Sequence, residues 1–133
     1  MSIAITDDHR ALAETASEFL LKREARRAGR DLLEDPAEPM PAFWDELVQL
    51  GWLGLHLPEG FGGSGYTLEE LVVVVEEMGR AVAPGPFVPT VIASAVIAAA
   101  GDDATKARFL PGLADGSING AVGLGGSVTV EGG

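Results

Sequence analysis

The chain has 133 residues, 47% of them hydrophobic, with 20 acidic against 9 basic side chains and a net charge of −11. That length allows one compact domain with its own core, and a mean hydropathy of +0.22 excludes a disordered chain. The acidic balance disfavours nucleic acid and anionic membrane surfaces, which reward a basic face, and the absence of cysteine excludes disulfides, thiol nucleophiles and thiolate metal sites.

The first residues, Met1 to Asp8, are acidic and lack a long apolar run, so they do not read as a signal peptide. With a composition that fits a reducing compartment, a cytoplasmic location is expected. Thr6 is expected to cap a first helix, with Asp7 and Asp8 at the positive end of its dipole. Leu12, Ala16, Phe19 and Leu20 then recur at helical spacing, and His9 reads as a surface residue of the first turn. Lys22, Arg23, Arg26, Arg27 and Arg30 crowd the end of this helix, where cations complement the dipole and the surrounding acids. Residues 29–40 read as a polar loop.

Pro41 suits a helix N1 position, and Phe43, Trp44, Leu47, Val48 and Leu50 supply a short amphipathic second helix ended by Gly51. Gly60, Gly62 and Gly65 fit G-x-G-x-x-G, a pattern that in a Rossmann unit brings backbone N–H groups to a pyrophosphate. Here Pro58 stands where a strand should feed the turn, and Pro84-Gly85-Pro86 stands where the second strand should begin. Thr67 and Glu70 form their own S/T-x-x-E capping box, which satisfies the N–H groups an anion would use. Nucleotide binding is therefore a remote reading. A third helix is expected over about 68–79, with Leu68, Leu71, Val72, Val75 and Met78 on one face. A fourth, over about 90–100, is apolar all round and is expected to be central; it is too short to span a bilayer. A fifth opens after Asp102 or Asp103 and is expected to stop at Pro111. Leu71, Val75, Val91, Ala95 and Ile97 are the expected core. After Gly116 the pattern changes, and 118–124 and 127–130 read as strands about a Gly125-Gly126 turn.

Little here carries chemistry. His9 and His56 lack metal-ligand spacing, and His56 reads as an ordinary loop-edge residue. Glu69-Glu70, Glu76-Glu77 and Asp102-Asp103 are better explained as helix ends than as acid–base pairs. Ser64 lies among glycines, but Tyr66 breaks the G-x-S-x-G elbow. No metal site is expected.

The order of the pieces is more informative than any one of them. Phe43-Trp44-Asp45-Glu46-Leu47, Leu50-Gly51-Trp52-Leu53-Gly54-Leu55, Leu57-Pro58-Glu59-Gly60-Phe61-Gly62-Gly63 and Glu76-Glu77-Met78-Gly79-Arg80 lead to Lys106-Ala107-Arg108-Phe109-Leu110-Pro111-Gly112-Leu113-Ala114-Asp115-Gly116. This succession resembles the N-terminal helical domain of the acyl-CoA dehydrogenase family over nearly the whole chain. The resemblance implies a mainly α fold, a bundle of about five helices over 1–117, with 118–133 beginning a middle β domain. It implies α,β-dehydrogenation of an acyl-CoA thioester with FAD, in a homo- or hetero-oligomer of acyl-CoA dehydrogenase-type subunits. The family's catalytic glutamate lies in a C-terminal domain, so no catalytic residue is expected in this chain, and the chain alone is expected to be inactive. Gly85, Val88 and Ile92 would form part of the acyl pocket wall, with plain core packing the competing account of Ile92. Backbone groups of Val122, Leu124 and Gly125 would contact the flavin. Where the family commonly has "A-x-T-E-P", this chain has Gly123-Leu124-Gly125-Gly126-Ser127, so the side-chain contribution to flavin binding is lost. The alternative is a non-catalytic helical subunit that partners a complete flavin-bearing homologue.

Overall fold

The computed structural model describes residues 5–126 except 36 and 38. Its six α-helices are α1 (Asp7–Lys22), α2 (Ala25–Asp31), α3 (Trp44–Gln49), α4 (Leu68–Arg80), α5 (Phe87–Ala100) and α6 (Asp103–Ala114). Short 3₁₀ turns occupy Leu32–Glu34, Trp52–Gly54 and Glu59–Phe61. The mainly α fold is as expected, with one helix more. The addition is α2, which takes up the arginine-rich end expected of the first helix and the first residues of the segment read as a polar loop. Glu24 adopts a left-handed conformation (φ +50°) and breaks what would be one helix into two, so that Ala25 drops into the core. A non-glycine residue in that region is uncommon and gives no signal in the sequence.

The helix starts follow their caps. Thr6 Oγ1 accepts the His9 N–H at 3.1 Å, and Thr67 Oγ1 accepts the Glu69 N–H at 3.1 Å while Glu70 Oε2 accepts the Thr67 N–H at 2.9 Å. His9 is not the surface residue expected of it. Its ring is buried, its Nδ1 accepts the Thr6 N–H, and its Nε2 donates to Glu70 Oε1 at 3.3 Å. The two capping boxes are thereby joined, which pins the N-terminus of α1 to that of α4.

The main core gathers Ala16 and Leu20 of α1, Trp44 and Leu47 of α3, Trp52 and Leu53, Leu71, Val74 and Met78 of α4, and Phe87 and Val91 of α5. Phe19 meets Phe43 and Trp52 edge-to-face, with ring centroids 6.2 and 5.5 Å apart. A second cluster joins Leu57 to Leu110, Leu113 and Ala114 of α6. Three expectations about packing are corrected here. On α4 the inward face is Leu71, Val74 and Met78, while Leu68 and Val72 are exposed and Val75 is half-buried against the core. Of the expected core, Leu71 and Val91 are buried, whereas Ala95 is half-buried and Ile97 packs on the second cluster. Helix α5 is not central: Val88, Ile92 and Val96 form an exposed stripe at i, i+4 and i+8.

Helix α6 runs through Pro111 instead of stopping there. Continuing the helix is what places Leu110, Leu113 and Ala114 on one buried face, and that burial outweighs the missing proline N–H. Gly51 follows the C-cap of α3 at φ +75°, as expected of a C′ glycine. No strand is present among the described residues, so 118–124 is a correction: the segment is irregular and has no ladder partner there. A strand is stable only when paired. The expected strand at 127–130 lies outside the described residues.

Candidate functional site

The glycine turn of residues 60–65 is closed on itself. Its amides are already occupied by the chain's own carbonyls: Gly62 N–H donates to Glu59 O, Gly63 to Pro58 O, Ser64 to Gly54 O, Gly65 to Leu57 O and Tyr66 to Leu55 O, at 2.9–3.2 Å. A Cβ on Gly63 would lie 2.0 Å from Leu57 O. These glycines let two backbone segments touch; they do not cradle a phosphate. The arginine-rich end of α1 and α2 is likewise accounted for locally. Arg23 pairs with Glu46, Arg26 Nη2 donates to Arg80 O at 2.7 Å, and Arg27 lies 3.7 Å from Glu24. Cations here sit against the C-terminal ends of α1 and α4. The acidic pairs are occupied too: Asp102 accepts the Thr105 N–H at 2.7 Å, and Glu76 and Glu77 face Arg80. Among the described residues, no group of three metal-ligating side chains converges, and no helix is long and apolar enough to cross a membrane.

The surface at the start of α5 is built differently. The chain enters it through Gly85, whose φ is +104°. A Cβ there would meet Pro41 Cγ at 3.1 Å and Trp44 Cε3 at 3.4 Å, so both conformation and space favour glycine. A cleft of about 470 Å³ opens at this point between Leu32, Met40, Pro41, Pro86 and Asn119. Two residues after Pro86, which lines the cleft, the exposed stripe of α5 begins, with Val88 (39% exposed), Ile92 (43%) and Val96 (58%). Core packing does not account for Ile92, because the inward face of this helix is Phe87, Thr90, Val91 and Ser94.

Residues 118–126 leave α6 and cross α5. Gly120 N–H donates to Thr90 Oγ1 at 2.9 Å, and beyond that crossing Val122 is 38% and Leu124 97% exposed. Nothing lies within 4 Å of a Cβ placed on Gly125. The residues singled out in the sequence thus form two groups, on segments that touch where Gly120 crosses α5. Gly85 stands just before α5 and Val88 and Ile92 lie on it, while Val122, Leu124 and Gly125 lie on the segment anchored to that helix. The arrangement offers exposed apolar side chains on α5 and exposed main chain on the following segment.

Three polar residues packed at α5 were not legible in the sequence: His56, Thr90 and Ser94. His56 Nε2 meets Ser94 Oγ at 3.0 Å, and Ser94 Oγ donates to Val91 O at 3.0 Å, so the proton of the ring sits on Nε2. Burial holds the His56 pKa below its ordinary value, and its buried Nδ1 has no hydrogen-bond partner among the described residues. Ser94 and Thr90 are completely buried. Only their spacing of four on an otherwise apolar helix hinted at them.

Comparison with known proteins agrees with this architecture. Residues 6–117 match the family described as acyl-CoA dehydrogenase, N-terminal domain. The acyl-CoA dehydrogenase FadE12 of Mycobacterium tuberculosis is 44% identical over 79 residues, covering 56% of this chain and 20% of that protein. Among solved structures, the Tcur3481-Tcur3483 steroid ACAD variant superposes with a TM-score of 0.75 and 33% identity, over 87% of this chain and 32% of that one. The ChsE4-ChsE5 complex of M. tuberculosis gives a TM-score of 0.65 and 25% identity, over 90% and 30%. The chain thus spans about a fifth to a third of the length of these relatives. A match over nearly all the helical residues, on a fold shared with solved members, establishes that this chain belongs to the acyl-CoA dehydrogenase family and carries its N-terminal domain.

Proposed function

We propose that this chain supplies one wall of the acyl pocket and the first flavin-facing segment of an FAD-dependent acyl-CoA dehydrogenase. Residues 1–117 act as the helical domain and 118–133 as the start of the β domain. The observation that carries this reading is the exposed Val88–Ile92–Val96 stripe beside the Gly85 cleft. An apolar stripe of this kind on an otherwise packed helix marks a surface to be covered by a ligand or by another part of the assembly. An acyl chain laid along it would be held by burial alone, which suits a substrate that offers only methylenes there.

The residues present fit a flavin through their main chain. Val122, Leu124 and Gly125 are exposed, and the missing Cβ at Gly125 lets a flat ring approach the backbone. Bound flavin would supply the hydride acceptor for oxidation of the acyl Cα–Cβ bond. This chain's part is to orient the acyl group and exclude water from it, and the α-proton is left to a base outside these residues. The partners are accordingly an acyl-CoA substrate and other acyl-CoA dehydrogenase-type subunits in a homo- or hetero-oligomer.

Gly125 and Gly126 favour a second reading, since neither offers a side chain to the cofactor. Similarity to a complex of two differently named proteins, ChsE4 and ChsE5, supports a non-catalytic subunit that partners a flavin-bearing homologue. The first reading is preferred because a lost hydrogen bond to the cofactor costs only about 0.5–1.5 kcal/mol, too little to empty a tight site. The wall is tested by Ile92→Arg in the full-length protein. Ile92 is already 43% exposed, so folding should be unchanged while acyl-CoA turnover falls at least tenfold. Unchanged turnover would remove this stripe from the substrate site.

A further inference from the structure

Helix α5 is almost wholly apolar, yet two of its most deeply buried residues carry hydroxyls. Thr90 and Ser94 are both 0% exposed and stand one turn apart on the same face. A buried hydroxyl in such surroundings is unfavourable unless it is bonded. Each of these is bonded to a segment outside the helix. Ser94 receives His56 from the loop after Trp52–Gly54, and Thr90 Oγ1 accepts the N–H of Gly120.

The Gly120 contact is close enough to fix a crossing point. A Cβ on that residue would lie 2.7 Å from Ala93 Cβ, 2.9 Å from Thr90 Cα and 3.2 Å from Pro89 O. The segment therefore crosses α5 backbone against backbone, and the hydrogen bond from its amide sets where along the helix it does so. Thr90 lies two residues from Val88 and two from Ile92, about 3 Å along the axis in either direction. Gly120 lies two residues before Val122. One bond thus joins the helix that carries the acyl wall to the segment that carries the flavin-facing main chain.

We infer that Thr90 is a positioning residue whose buried hydroxyl, closed against side-chain-free Gly120, sets the alignment of the Val122–Gly125 segment with the Val88–Ile92 wall. The part of this inference that concerns flavin and acyl groups rests on the function proposed above; the latch itself does not.

The two parts separate in one experiment on the full-length protein, comparing Thr90→Val, which removes the acceptor, with Thr90→Ser, which keeps it. Amide hydrogen exchange reads the latch, and the visible flavin band and its shift on adding acyl-CoA read the alignment. Thr90→Val should speed exchange at Gly120 at least tenfold, with the amides of α4 unchanged. It should also weaken flavin retention several-fold and alter the acyl-CoA-induced shift, while Thr90→Ser restores both. Thr90→Ala removes the same acceptor and takes its place if the valine variant does not fold. Unchanged Gly120 exchange in the acceptor-free variant would overturn the latch. Faster exchange with an unaltered flavin band and shift would overturn the positioning role. A wild-type protein without flavin would instead refute the proposed function and the alignment with it, leaving Gly120 exchange to decide the latch.

Discussion

Glu70 offers a sharp test of how this domain is held together, because one carboxylate serves both a helix cap and an interhelical contact. Its Oε2 accepts from the Thr67 hydroxyl at 2.6 Å and from the Thr67 N–H at 2.9 Å, and its Oε1 accepts from His9. The Thr67 side-chain bond, then the Thr67 backbone bond, with a smaller part from His9, hold its pKa down to about 2. An unfolded glutamate titrates near 4.3, so the folded group has the lower pKa. The stabilisation is therefore complete above about pH 5 and is lost as pH falls from there toward 2. Glu70→Ala removes the cap at every pH and should cost about 1–2 kcal/mol at pH 7, the usual worth of a capping interaction. For a chain of this size that lowers the melting temperature by about 3–5 °C per kcal/mol. Glu70→Gln keeps an acceptor for the Thr67 N–H but cannot be protonated, so it should lose less at pH 7 and should flatten the decline between pH 5 and 2. Urea unfolding of the three proteins across that range is the assay. A Glu70→Gln protein whose stability falls with acid as steeply as the wild type would refute the assignment of that slope to Glu70.

Two further outcomes are expected. Val74→Asp buries an uncompensated charge at a position that is 0% exposed, costing about 3–5 kcal/mol, whereas Val72→Asp lands on a 54% exposed site and should change stability by less than about 0.5 kcal/mol. Thermal unfolding of the pair checks the inward face of α4, and equal losses would sink it. The 133-residue chain by itself should show no acyl-CoA-dependent dye reduction, since among the described residues no base stands at the proposed α5 wall and holding base and acceptor at the substrate is worth about 7–11 kcal/mol. Dye reduction by the purified chain would overturn this.

The parts of the fold that announce themselves by local chemistry were legible in the sequence. Thr6, Thr67 with Glu70, Gly51 and Asp102 each mark a helix end, and each does so in the structure. Where local chemistry is silent, the reading went astray for identifiable reasons. Val72, Val73, Val74 and Val75 are consecutive, so composition gives no phase and only packing selects Val74 as the inward residue. Glu24 breaks the first helix from a left-handed conformation that no glycine signals. The apolar surround of α5 suggested a central helix, but part of that hydrophobicity faces outward and belongs to the proposed site. His9, His56 and Thr90 acquire their roles from partners 30 to 61 positions away, and spacing within one helix cannot show these. The candidate site residues rest on the resemblance, residue by residue, while the hydrogen bond that ties Thr90 to Gly120 required coordinates.

The central claim is that this domain serves a flavin-bearing acyl-CoA dehydrogenase despite the glycines at 125 and 126. The most direct measurement is the flavin content of the full-length protein, read by visible absorbance after desalting, alone and after co-purification with a homologous subunit. The account predicts a yellow protein with close to one flavin per copy of this chain. A colourless protein that gains no flavin of its own in the complex, once the partner's flavin is counted separately, would contradict it and establish the chain as a non-catalytic subunit.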